Sequence, residues 1–91
     1  MAQLDAYAGE QLSVPERVIV APSTGEFQPL SREGGELAPG PVLRGQPIGF
    51  LELLGESRPV HSPFGGRLMG LLAHPGERVR EGQPLAWLRV S

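Results

Sequence analysis

The 91-residue sequence contains no cysteine and no lysine. The first absence excludes a disulfide framework and a thiolate metal site, and it leaves the redox compartment open. The second restricts the chemistry further. All eight basic side chains are arginines (Arg17, Arg32, Arg44, Arg58, Arg67, Arg78, Arg80 and Arg89), a bias that a GC-rich coding sequence favours. Within these residues there is no amine for a Schiff base, an amide-linked cofactor or a lysine base. Nor is there an excess of positive charge. A net charge of −2 and a pI near 5.6 argue against nucleic acid or an anionic membrane as the partner. Long hydrophobic runs are missing too, since "VIVA" at 18–21 is far too short to span a bilayer. "MAQLDAYAGEQ" at the N-terminus has no basic region and carries Asp5 and Glu10, so it does not read as a secretory signal. A soluble, cytoplasmic domain is expected.

Glycine and proline are what the chain has in abundance. Thirteen glycines and ten prolines punctuate it every few positions, leaving room for short strands and for no helix of ordinary length. The best helix candidate is 2–12, with Ala2, Ala6 and Ala8, but Gly9 weakens it and Pro15 bounds it. Residues 1–16 are expected to form a flexible arm, and 17–91 a single small domain of short β-strands. That domain is near the lower size limit for one unaided core.

The body repeats itself. "VIVAPSTGEFQPL" (18–30) parallels "RPVHSPFGGRLMGLL" (58–72), each with a strand, Ala/Ser-Pro, two residues and Gly. "VLRGQPIGFLEL" (42–53) parallels "VREGQPLAWLRV" (79–90), with Gly-Gln-Pro in register. The first copy has the longer loop, "SREGGELAPGP" (31–41), where the second has "AHPGER" (73–78). Two such four-strand units predict an all-β flattened barrel of two four-stranded sheets related by a pseudo-twofold axis. The expected core is Phe27, Leu30, Val42, Ile48 and Leu51 from the first half. The second half contributes Val60, Leu68, Leu71, Val79, Leu85 and Leu88, with Trp87 out of phase and partly on the surface. Leu53 to Pro59 should form a hairpin tip between the halves.

This pattern resembles the biotinyl/lipoyl carrier domains, the barrel-sandwich hybrid of biotin carboxyl carrier proteins. Their C-terminal half runs Ala-Pro-x-x-Gly-x-Val-x-x-Ile-x-Val-x-x-Gly-x-x-Val-x-x-Gly-Gln-x-Leu-x-x-Ile. Ser62, Pro63, Gly66, Leu68, Leu71, Ala73, Gly76, Val79, Gly82, Gln83, Leu85 and Leu88 follow it without a gap. The resemblance covers residues 17–90. It implies the barrel-sandwich fold and a hairpin tip that carries the cofactor on a lysine flanked by methionines. Counted forward from Gly45 through Ile48, Leu51 and Glu52, and back from Ser62–Pro63, the acceptor position falls both times on Gly55. Leu54 and Glu56 stand where the methionines would be. One replaced residue would explain the glycine, but not the missing methionines or the absence of every other lysine. The chain therefore resembles a degenerate, unmodified member of the family with no covalent cofactor of its own, and fold does not carry function with it.

Other features point to ordinary roles. Ser57 lies in no helical Asp-Ser-Leu context for phosphopantetheine, and "LGESRP" is not a nucleophile elbow. His61 and His74 stand thirteen apart without a carboxylate or cysteine cluster, so no metal site is expected. No catalytic constellation converges. Glu56 and Arg58 are placed to pair across the tip, and strand alternation should turn one of Leu53 and Leu54 outward. The loop 31–41 occupies the place of a protruding thumb in some carriers, but its composition reads as flexible surface. The function expected is a non-catalytic accessory or regulatory subunit of a biotin-dependent carboxylase, of the acetyl-CoA carboxylase type. It would meet biotin carboxylase or carboxyltransferase subunits through Leu54, Gly55, Glu56 and Arg58. The alternative is an adaptor-like barrel-sandwich interaction module unrelated to carboxylases. An enzyme or a non-covalent binder of small molecules, using the groove near the tip, is the third reading.

Overall fold

In the computed structural model of the chain, described over residues 15–30 and 39–90, there are eight short strands. They are β1 (Glu16–Val20), β2 (Gly25–Pro29), β3 (Gly40–Val42), β4 (Pro47–Leu53), β5 (Glu56–His61), β6 (Gly66–Leu71), β7 (Arg78–Val79) and β8 (Pro84–Arg89). No helix occurs among the described residues. Residues 1–14 of the expected arm, and 31–38 of the expected surface loop, lie outside them.

The strands form two four-stranded sheets, ordered β1-β8-β6-β3 and β5-β4-β2-β7, with antiparallel pairing throughout. Shifting every strand by four places turns the first order into the second. The internal repeat of the sequence is therefore the pseudo-twofold symmetry of a flattened barrel sandwich. Each sheet is built from both halves, so neither half is a separate unit.

The two Gly-Gln-Pro motifs fasten the halves together. Leu43–Gln46 and Arg80–Gln83 are tight turns closed by i to i+3 backbone bonds of 3.0 and 2.9 Å. Gly45 and Gly82 sit at the third position with φ of +86°, the left-handed geometry a type II turn demands there. In each turn the glutamine Oε1 accepts the first residue's N–H, at 2.9 Å for Gln46 and 3.2 Å for Gln83. Each turn then bonds to the opposite half. Gly45 and Gln46 exchange bonds with Ser62, and Gly82 and Gln83 with Ala21, at 2.7–2.9 Å. Ala21 and Ser62, the residues before the two corner prolines, are fully buried by these clasps.

Strand alternation alone would not place both Ile48 and Leu51, or both Leu85 and Leu88, in the core. Matching register shifts explain the three-residue spacing. Pro47 and Gly49 oppose His61 and Val60, and Pro84 and Ala86 oppose Val20 and Ile19. Ile48 and Leu85 are therefore the extra residues of two symmetric bulges, which reset the side-chain phase. The core comprises Ile19, Ala21, Phe27, Val42, Ile48, Leu51, Val60, Leu68, Ala73, Val79, Leu85, Ala86 and Leu88. Leu30 and Leu71 correct the expected core. Leu30 is only half-buried beyond the end of β2, and Leu71 packs against the core from its margin. Trp87 is half-buried, as its phase requires. It lies against Gly70, where an added Cβ would sit 3.4 Å from the indole nitrogen.

Candidate functional site at the hairpin between the halves

β4 and β5 are paired from Pro47 with His61 to Leu53 with Glu56, leaving Leu54 and Gly55 as a two-residue loop. Both have positive φ, +52° and +81°, the signature of the type I′ turn that matches the twist of a hairpin. Gly55 adopts that geometry freely, and Asn or Asp would normally precede it. Leucine does not adopt it freely. The left-handed conformation costs a residue with a Cβ roughly 1–2 kcal/mol. Leu54 is the only described residue other than glycine with positive φ, and it is 94% exposed. An apolar side chain is thus held out in water on a strained backbone.

Leu53 is exposed as well, at 38%, so both members of the pair turn outward, where alternation required one. Leu51 and Leu53 share the inner face of sheet two by alternation, yet Leu51 is buried and Leu53 is not. The hairpin outruns the opposing sheet, and Leu54 lies in the turn, where alternation does not apply. A cleft of about 270 Å³ on this inner side is lined by Leu51, Leu53, Leu54, Glu56 and Arg58, with Ser23 and Thr24 opposite. A second cleft, about 450 Å³, runs along the outer side past Glu26, Glu52, Gly55, Ser57 and Arg78. The two share Leu53, Leu54 and Glu56, so the tip is a ridge between open grooves.

Leu54, Gly55, Glu56 and Arg58 therefore come together at one end of the molecule. The Glu56–Arg58 pairing does not form. Among the described residues the ion pair within 4.0 Å joins Glu16 to Arg89, at 3.1 Å. The outer face holds an arrangement the sequence did not suggest: Glu26 stands directly opposite Glu52 and Arg78. His61 ends β5, and its Nδ1–H donates to the Gly45 carbonyl at 2.9 Å; His74 lies in the loop before β7. No group of three or more metal-ligating side chains occurs among the described residues.

Gly55 stands where the resemblance to carrier domains implies a tethered cofactor. A Cβ built at Gly55 meets nothing within 4 Å, so there is space for a side chain. There is no nucleophile, because glycine stands there and the 91 residues contain no lysine. The residues present do not fit covalent attachment of biotin or lipoate.

No protein-family model matches the sequence, and no curated protein matches it. Solved structures do share its fold. One is a single-chain, multi-domain long-chain acyl-CoA carboxylase, with a TM-score of 0.72 and 20% identity over 89% of this chain and 8% of that one. Another is the urea carboxylase of Kluyveromyces lactis, with a TM-score of 0.69 and 18% identity over 97% of this chain and 7% of that one. The chain spans less than a tenth of either neighbour's length. It is similar in fold to a small part of two carboxylase chains.

Proposed function

We propose that this chain is a carrier-like module without a covalent cofactor, which docks through its hairpin tip on a biotin-dependent carboxylase and does no chemistry itself. The observation that carries this reading is the tip. It keeps the two-residue turn and the exposed position of a carrier's attachment site, with Gly55 where the acceptor would be. Beside it, Leu54 is held out at the cost of backbone strain. Strain at an exposed apolar residue has no value to the isolated fold, and is the kind of feature retained for contact. The fold likeness to carboxylase chains supports the choice of partner class. An acetyl-CoA carboxylase type complex is the form proposed, with biotin carboxylase or carboxyltransferase as the surface met.

Purified biotin carboxylase and carboxyltransferase subunits from the same organism, titrated against the chain, test this. Binding should be saturable and lost when Leu54→Asp is combined with Arg58→Glu, since a few central residues dominate such contacts. Both changes are at exposed positions, so the fold should be retained. Binding that survives the double substitution would overturn the tip as the contact, and absence of binding to either subunit would overturn the carboxylase reading.

A further inference from the structure

The pseudo-twofold symmetry makes β1 and β5 equivalent, and each is the outer strand of its sheet. Exposed sheet edges invite pairing with another chain and are normally blunted. Three of the four edges here are blunted. β5 carries Pro59, β3 has three residues including Pro41, and β7 has two. Among the described residues β1 is the exception: five residues, Glu-Arg-Val-Ile-Val, without proline. At the position symmetric to Pro59 it has Val18.

The open side of β1 has hydrogen-bonding groups to offer. Pro15 accepts from the Val90 N–H at 2.7 Å, so in the antiparallel alternation Arg17 and Ile19 face β8. Glu16 and Val18 then turn their N–H and C=O groups to the open side; the Glu16 carbonyl there accepts from Arg17 Nη1 at 2.8 Å, so Val18 is the residue that offers both groups. Two side chains of this strand, Val18 and Val20, are 44% and 47% exposed. Together with Ile19 they form one wall of a groove of about 430 Å³ between the two equivalent edges, whose lining also includes Pro22, Pro59, Phe64 and one titratable side chain, His61. β1 and β5 run in opposite senses along it. Arg17 lies over the Phe64 ring just past the end of β5, at 5.9 Å, while Ser23 and Thr24 beyond β1 share a cleft with Arg58. The symmetric pair Arg17 and Arg58 thus marks the two ends of an apolar groove. Among the described residues neither forms an ion pair.

We propose that β1 accepts an extended segment of a partner chain by antiparallel strand addition, its alternate apolar side chains facing the groove and a carboxylate near each end meeting Arg17 and Arg58. Main-chain bonds to an open edge supply affinity in such recognition, and alternate side chains supply selectivity. The surface shares Arg58 with the proposed tip contact but does not include Leu54, and the proposal does not rest on that contact.

The test is an NMR titration of the whole chain with the peptide acetyl-Glu-Val-Thr-Val-Thr-Val-Glu-amide, and with the same peptide bearing Lys at both ends. The acidic peptide should bind saturably and slow exchange of the Val18 amide. The basic one should bind weaker by about tenfold or more, given two reversed charge contacts. Val18→Pro removes the outward N–H while leaving the ladder to β8, as Pro59 does in β5, and should weaken binding by about tenfold or more. Leu54→Asp should leave it unchanged. If Val18→Pro does not fold, the acidic peptide N-methylated at alternate residues, in each of the two phases, replaces it, and one phase should fail to bind. Equal affinity for the two peptides, protection on another strand, or no saturation at millimolar peptide would each overturn the proposal. So would protection of Val18 that grows with protein concentration alone, which would assign the edge to a second copy.

Discussion

At the residue scale, the tip poses a conflict that can be measured. The turn geometry asks for Asn-Gly or Asp-Gly, and Leu54 supplies a branched apolar side chain at φ +52°. Leu54→Asn should therefore stabilise the fold by about 0.5–1 kcal/mol in chemical denaturation, through relief of that strain. A loss of stability would mean that Leu54 packs against the hairpin after all. Gly55 gives the complementary experiment. Combining Gly55→Lys with Leu54→Met and Glu56→Met introduces the Met-Lys-Met sequence of biotin carriers at a site where an added Cβ meets nothing. The triple variant should gain the mass of biotin, at least in part, when incubated with a biotin ligase and ATP, and the wild-type chain should gain none. Lysine at φ +81° should cost about 1–2 kcal/mol of stability.

At the scale of elements, the turns hold one titratable group in an altered state. Glu77 accepts the His74 N–H through Oε1 at 2.8 Å and the Gln83 amide through Oε2 at 2.9 Å. These two bonds, the backbone one first, lower its pKa below the ordinary carboxylate value. A carboxylate whose pKa is depressed by folding adds stability that is present above its unfolded pKa. That stability is lost as pH falls through the folded value. Melting temperature followed from neutral pH downward should show a gap between wild type and Glu77→Gln that closes as the solution is acidified below the usual carboxylate range. A constant gap would mean that shape, not charge, is what Glu77 contributes. The loop is worth such care because it supports β2: the Phe27 N–H donates to the Glu77 carbonyl at 2.9 Å, and the Phe27 carbonyl accepts from Gly76 at 2.7 Å.

At the scale of the whole molecule, the interleaving of halves in both sheets predicts one cooperative transition. Leu68→Ala and Leu85→Ala each empty a fully buried position and should cost about 2–5 kcal/mol. That is a large share of the roughly 5–15 kcal/mol typical of a domain's total stability. Both variants should lower a single transition seen alike by far-UV dichroism and Trp87 fluorescence. Two separate transitions would show that the halves fold independently, contrary to the exchanged bonds of Ser62 and Ala21.

Much of this was determined by the sequence alone. The repeated Gly-Gln-Pro and Ala/Ser-Pro motifs specify turns through local backbone geometry, which depends on few neighbours, so they placed eight strands and located Gly55 at the tip from two directions. The missing lysine settles the absence of an attachment amine without any coordinates. Tertiary structure decided the rest. Core membership of Ile19, Ala21 and Ala86 depends on bulges and clasps formed between residues far apart in the chain, and Leu30 fell outside because its strand ends before it. Leu53 is exposed because the hairpin extends past the opposing sheet, a matter of relative strand length that no alternation pattern records. The open edge of β1 among the described residues emerges only once its neighbours are known, since an edge is defined by which strand fails to lie beside it.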